Sequence, residues 1–252
     1  MPNRRPLGLL LTTIGISSCL AAQGNIAFDR PVSFKSLAPN ILADQKNIWI
    51  FPTKLNKKKN LLPAAAVVGT TVALIALDSH DAPYFRRTSS FAGFNKAFSG
   101  KGTSIVTFMA PVGLYAAGFA RGDSEMSSTA LLAGEALVSS EILASVLKIA
   151  TRRVRPAKLS PVQSFSGTFF ENKGPALRTA GSFPSGHTIA AFSVATIISR
   201  RYGNHKWVPY ASYGMAALIG FSRVSLSTHF VSDVFAGGAL GYSISRFAVL
   251  RQ

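Results

Sequence analysis

The stretch SRVSLSTHFVSD, Ser222 to Asp233, holds an arginine, a histidine and a carboxylate whose types and spacing suit nucleophilic chemistry on an anion. His229 and Asp233 stand four residues apart, so on a helix their side chains meet. A carboxylate accepting one ring N–H fixes the imidazole tautomer and leaves the other nitrogen free to attack. Arg223 lies six residues before His229, off its helical face, and is expected to reach across from the end of the preceding helix. A helical His–Asp pair is ordinarily a surface contact of ~0.2–0.5 kcal/mol. Here the flanking Phe230, Val231, Val234 and Phe235 argue for a buried or membrane-facing setting.

Two further stretches supply what an anion needs. In KIATRRVRP, Lys148 and Arg155 are seven residues apart, two helical turns, so both project from one face. Pro156 disfavours helix at Arg155 and leaves that cation at the helix end. In FPSGHT, residues 183–188, Ser185 and Gly186 precede or open an apolar helix, so their backbone N–H groups and the Ser185 hydroxyl can point at an anion. Pro184 fixes φ and Gly186 permits close backbone approach. His187 then stands beside that anion, placed to give it a proton. Each stretch alone has a plainer reading: a basic helix end is a favourable dipole partner, and a Ser N-cap can precede an incidental histidine. Together, Lys148, Arg155, Arg223 and a helix N-terminus match the equatorial oxygens of a transferring phosphoryl group, where positioning and electrostatics provide most of the catalysis. One histidine attacks and the other protonates the leaving oxygen. No cluster with metal-ligand spacing accompanies the set, so the expectation is a covalent route through a phosphohistidine, without metal or other cofactor.

The three stretches, in this order, resemble the three signature motifs of the type 2 phosphatidic acid phosphatase superfamily, which also includes bacterial class A acid phosphatases and vanadium haloperoxidases. Lys148, Arg155 and Pro156 match the first motif, Pro184 to His187 the second, and Ser222, Arg223, His229 and Asp233 the third. The resemblance implies a helical-bundle fold, His229 as nucleophile, Asp233 as its orienting acid and His187 as general acid. It implies Lys148, Arg155, Ser185, Gly186 and Arg223 as the phosphate cradle. Residues 1–60 match nothing in the family pattern.

The elements that must position these residues are helices. Apolar runs occupy roughly 61–77, 103–120, 128–150, 187–201, 208–222 and 229–248, and β-branched alternation is largely absent. The expected fold is therefore all-α, a bundle of about six helices, associated with a membrane. The domain reading is a signal peptide or anchor over 1–22, an irregular leader with room for one short helix over 23–60 and a helical phosphatase domain over 61–252. Arg4 and Arg5, the apolar Leu7–Ile16 run and the small residues after it have the layout of a secretory signal peptide. Cys19, the single cysteine, sits in a lipobox-like Ile16–Cys19 context and allows no disulfide framework. Export and six spans conflict: a leader outside returns the 148–187 region to the cytoplasm, whereas Lys57, Lys58 and Lys59 inside put it outside. The second choice, with the site facing the periplasm, keeps Arg200, Arg201, Lys206, Arg246 and Arg251 inside.

Lys and Arg number 27 against 10 Asp and Glu, a net +17, which calls for an anionic partner. Nucleic acid is disfavoured, because the cations are scattered between apolar runs and no nucleic-acid-binding signature appears. A phosphorylated lipid or a small phosphomonoester, at or near a membrane, fits. The leading expectation is a phosphatase of lipid phosphates or diphosphates; the alternative is a soluble periplasmic acid phosphatase.

Four features lie outside the motifs. Asp78, Ser79, His80 and Asp81 read as a polar connector or, less simply, a metal site. Glu141, seven residues before Lys148, shares its face and is placed to support the cradle or to form a plain interior ion pair. Gly237 to Gly241 is a small-residue face suited to close helix packing. The loop from Pro156 to Pro184, with Phe165, Phe169, Phe170, Lys173 and Arg178, borders the cradle and is the candidate for substrate selection.

Overall fold

The computed structural model describes residues 31–54, 58–160, 163–173 and 181–250. The signal-peptide reading, Cys19, Lys57 and Arg178 lie outside these residues. Among the described residues all regular structure is helical: α1 (Phe34–Ile50), α2 (Lys58–Arg87), α3 (Ala92–Ala97), α4 (Gly100–Arg121), α5 (Ser124–Thr151), α6 (Gly186–Arg201), α7 (Trp207–Ser225) and α8 (Val231–Ile244), with α8 running into a wider π turn at Ser245–Val249.

Local chemistry sets the boundaries. Asp123 caps α5 by accepting from Met126 N at 2.8 Å, and Ser99 caps α4 by accepting from Gly102 N at 3.3 Å. Gly122, at φ 66°, ends α4 in the left-handed region that glycine enters at no steric cost. Pro156 ends α5 as expected: Arg152 takes φ 45° and Arg155 is extended.

Two elements differ from expectation. Residues 34–50, where at most one short helix is expected in an irregular leader, form the 17-residue α1, capped reciprocally by Ser33 and Ser36. That helix belongs to the bundle, since Val32 and Ile48 pack against the core and Gln45 donates to the Ser139 carbonyl of α5. Helix α2 runs past residue 77 to Arg87. The Asp78–Asp81 stretch is not a connector, because Asp78 is buried and its charge is met by a residue remote in sequence.

Helix α6 is the centre of the bundle, packed against α4, α5, α7 and α8. Leu132, Ala133, Ala136 and Ala144 of α5 meet Ile189, Ala190, Val194 and Ile197 of α6 in one apolar cluster. The small-residue face of α8 lets its backbone press on α6. A methyl at Gly237 would lie 2.8 Å from the Ser185 carbonyl oxygen, and one at Gly241 would collide with the Ile189 carbonyl.

Asn60–Arg87, Gly100–Arg121 and Ser124–Lys158 are long and apolar enough to cross a membrane. Their outward side chains are large and apolar: Leu62 is 76% exposed and Phe119 77%. An apolar belt of this extent marks the molecule as membrane-associated. Among the described residues three helices, not six, meet the spanning criterion.

The packing predicts a contrast between two glycines. Gly241→Ala should lower stability by about 1–3 kcal/mol through overpacking. Gly69→Ala, on α2 where an added methyl meets nothing within 4 Å, should leave stability unchanged or slightly raised. Thermal unfolding in detergent measures both.

Candidate active site

The α7–α8 junction carries the third motif. Helix α7 ends at Ser225 and α8 opens at Val231, so His229 precedes the helix that holds Asp233. The two side chains still meet, but across the entry to α8 rather than within a regular helical turn. His229 Nδ1 lies 2.8 Å from the Ser182 carbonyl oxygen and 3.5 Å from Asp233 Oδ2. A carbonyl only accepts, so Nδ1 carries the proton and Nε2 keeps its lone pair. The Ser182 carbonyl fixes the tautomer, and Asp233 acts one step behind it: the Ser182 hydroxyl donates to Asp233 Oδ2, as does Phe230 N at 2.9 Å. Burial pushes the His229 imidazole below its ordinary range, and the charges of Arg155 and Lys148 add to that. Against the upward push of burial, contacts with His229, Arg153 and Ser182 hold the Asp233 carboxyl down.

Arg223, on the last turn of α7 as expected, is buried and tethered. Its Nε and Nη2 donate to Ser222 Oγ at 3.0 and 2.8 Å, and Nη2 donates to the Phe98 carbonyl at 2.7 Å. Ser222 of the motif thus aims the guanidinium.

Ser185 is the N-cap of α6. Its N–H donates to the Asp233 carbonyl at 3.0 Å, which corrects the expectation that this amide faces an anion. The amides of Gly186, His187 and Thr188 occupy the first turn, where helix geometry provides no internal acceptor. Gly186 makes room for a cation, because a methyl there would lie 2.5 Å from Lys148 Nζ and 3.6 Å from both Glu141 carboxylate oxygens. Glu141 does face the cradle, and its Oε1 is buried without a hydrogen-bond partner. His187 Nε2 sits 2.6 Å from Ser104 Oγ and 3.3 Å from the Gly100 carbonyl. Burial, then the charge of Arg223, pushes its imidazole down to about 4.

The structure thus gathers Lys148, Arg155, the α6 N-terminus, His187, Arg223, His229 and Asp233 at one end of the bundle. It adds Ser182, Ser104, Arg153 and Asp78, none of which carries a motif signal. Arg153 bridges Asp78 and Asp233 at 2.6 Å each. Asp78 is therefore a counter-ion, and among the described residues no three His, Cys, Asp or Glu side chains form a metal-binding group.

Residues 129–252 match the PAP2 superfamily, a stretch that contains all three motifs. Over these residues the chain belongs to the PAP2 superfamily. The PAP2 region resembles a lipid A 1-phosphatase of Porphyromonas gingivalis, 43% identical over 63 residues, 25% of this chain and 14% of that protein. It also resembles a lipid A 1-phosphatase of Rhizobium etli, 36% identical over 108 residues, 42% of each chain. Phosphatidylglycerophosphatase B of Bacillus subtilis is 36% identical over 110 residues, 40% of this chain and 46% of that protein. The chain spans less than half the length of these curated relatives. A crystal structure of a transmembrane PAP2 type phosphatidylglycerolphosphate phosphatase from Bacillus subtilis aligns with TM-score 0.49 and 21% identity, covering 73% of this chain and 92% of that one.

The contact at Gly186 generates a prediction about this PAP2 region. Gly186→Ala should leave the fold intact, because the displaced atom is the end of a flexible lysine, yet weaken vanadate binding about tenfold or more, ~1.4 kcal/mol. Calorimetric titration with vanadate, beside a thermal unfolding curve, checks both halves.

Proposed function

We propose that the protein hydrolyses a lipid phosphate or diphosphate through a phosphohistidine on His229. The observation that carries this reading is the His229 Nδ1 to Ser182 carbonyl contact of 2.8 Å, which leaves Nε2 as a free lone pair beside cationic side chains. Nε2 attacks phosphorus; the P–N bond forms as the P–O bond to the lipid breaks. His187 gives its proton to the leaving oxygen. Water then attacks the phosphohistidine, His187 takes up the water's proton, and release of phosphate restores both rings. Lys148, Arg155, Arg223 and the free α6 amides hold the equatorial oxygens throughout.

Two observations support a lipid substrate: the apolar belt of α2, α4 and α5, and relatives whose names state action on lipid A and phosphatidylglycerophosphate. The same belt disfavours the soluble acid phosphatase. In this reading the site opens at the periplasmic face of the inner membrane, with Arg200, Arg201 and Lys206 at the opposite end, in keeping with the positive-inside rule.

The first test is phosphate release in EDTA from detergent-dispersed phosphatidic acid and from p-nitrophenyl phosphate. The lipid should be strongly preferred, and His229→Ala should lose at least about 10³-fold in kcat. Full activity in that variant would rule out the nucleophile; equal rates on both substrates would return the soluble alternative. A second test uses sulfate, whose charge is constant between about pH 5 and 8. Its negative charge raises the His187 pKa from about 4, so binding takes up a proton between the two values. Sulfate inhibition should therefore strengthen as pH falls, and the slope should flatten in His187→Asn.

A further inference from the structure

Of the described residues of α2, only Asp78 and Ala82 are buried. The rest of the helix is exposed or half-buried, and beside the Arg86 Nη2 bond to the Leu159 carbonyl Asp78 is its buried polar tie to the bundle. Asp78 Oδ2 accepts from Arg153 Nη2 at 2.6 Å and from Ser232 Oγ at 2.5 Å, and Oδ1 accepts from Ser232 N at 3.2 Å. Arg153, 1% exposed, is spent on several sides. Its Nη1 donates to Asp233 Oδ1 and Ser232 Oγ, and its Nε to Thr168 Oγ1. Its guanidinium lies 3.9 Å from the Phe230 ring centroid and 4.5 Å from that of Phe169.

An arginine beside one buried carboxylate ordinarily closes on it as a two-pronged fork. Here Arg153 meets Asp233 through Nη1 and Oδ1, because Nη2 is held by Asp78. Oδ2 of Asp233 is thereby left for the Ser182 hydroxyl and Phe230 N. Ser182 is the residue whose carbonyl holds His229 Nδ1. We propose that Asp78 is a positioning residue of the site: by holding Arg153 Nη2, it keeps Arg153 one-pronged on Asp233 and preserves the Ser182 contact that orients His229. Without Asp78, Arg153 closes on both oxygens of Asp233 and Ser182 loses its acceptor. This inference rests on the reading of His229 as the nucleophile.

The test is Asp78→Asn in the full chain in detergent, assayed on phosphatidic acid. Asn keeps the shape and one acceptor but loses the charge. The expected result is a fall in kcat of about 10–100-fold with KM changed less than about threefold, because ground-state phosphate contacts are untouched. The acid limb of kcat/KM should move to lower pH. His229 faces Arg153, Arg155, Lys148, His187 and Asp233, with Asp78 behind Arg153, and removing the Asp78 charge leaves that set more positive and disfavours the His229 imidazolium. The deciding measurement is a double-mutant cycle with Arg153→Lys. A lysine cannot form the fork, so Asp78→Asn should cost less than about twofold in that background. Additive losses with an unmoved acid limb would make Asp78 an anchor of α2 alone and overturn the proposal. If Asp78→Asn does not fold, Asp78→Glu keeps the charge; a wild-type acid limb with reduced kcat is expected, and a shifted limb counts against the idea. His229→Ala, run alongside, separates the two readings: activity there sinks the nucleophile, whereas an inactive His229→Ala with an additive cycle sinks only the role of Asp78.

Discussion

A guanidinium taken out of water must be met on every side, and Arg153 is where that requirement organises the molecule. Removing one partner from a buried ion pair costs about 3–5 kcal/mol, because the charge left behind has no solvent. Arg153 meets carboxylates from α2 and α8, a threonine from the loop after α5, and two aromatic rings. Three segments separated in sequence are thus bound to one planar group whose geometry allows few arrangements. The end of the bundle that holds the motifs is fixed by this group as much as by apolar packing. The apolar cluster of α5, α6 and the π turn supplies the body of the fold, but it lies below the site and does not orient its side chains.

The membrane setting sharpens the same requirement. Helices α2, α4 and α5 expose large apolar side chains, so charges inside this bundle have no nearby solvent to share. Asp78 and Asp233 are answered internally by Arg153, and Arg223 is oriented but not neutralised by the Phe98 carbonyl and Ser222. The cradle is the exception. Lys148, Arg155 and Arg223 converge there with Glu141 as the nearby anion, and its Oε1 has no hydrogen-bond partner. Such an excess of positive charge is what a phosphate dianion would complete.

Features fixed by local chemistry were legible in the sequence. Pro156 bends the chain away at Arg155, Ser185 and Gly186 open α6, and Gly237 and Gly241 press α8 on α6, because each depends on backbone geometry within a few residues. The helix runs were legible for the same reason, apart from α1, whose proline and polar residues hide a helix that tertiary packing stabilises. Asp78 was not legible: a charged DSHD stretch reads as a connector until Arg153, 75 residues on, neutralises it within the helix. Ser182 was hidden more deeply. It holds His229 through a backbone carbonyl that every residue type possesses, so no side-chain pattern can mark it. The i,i+4 spacing of His229 and Asp233 does bring the two side chains to 3.5 Å, but the helix begins one residue after Phe230, and the carboxylate also closes its own N-terminus through Phe230 N.

That closure explains why the two histidines behave differently. His229 is locked by a carbonyl whose acceptor character cannot change with pH, so Nε2 keeps its lone pair. His187 is held at Nε2, by Ser104 and the Gly100 carbonyl at the start of α4, and burial, with the neighbouring cations adding to it, keeps the ring neutral. A general acid must carry a proton when the leaving oxygen departs, and the charge that lifts its pKa is the phosphate dianion itself. On the proposed mechanism the nucleophile is therefore set by the fold, whereas the acid is charged by the substrate. Such a site acquires its proton donor only when there is an ester to cleave.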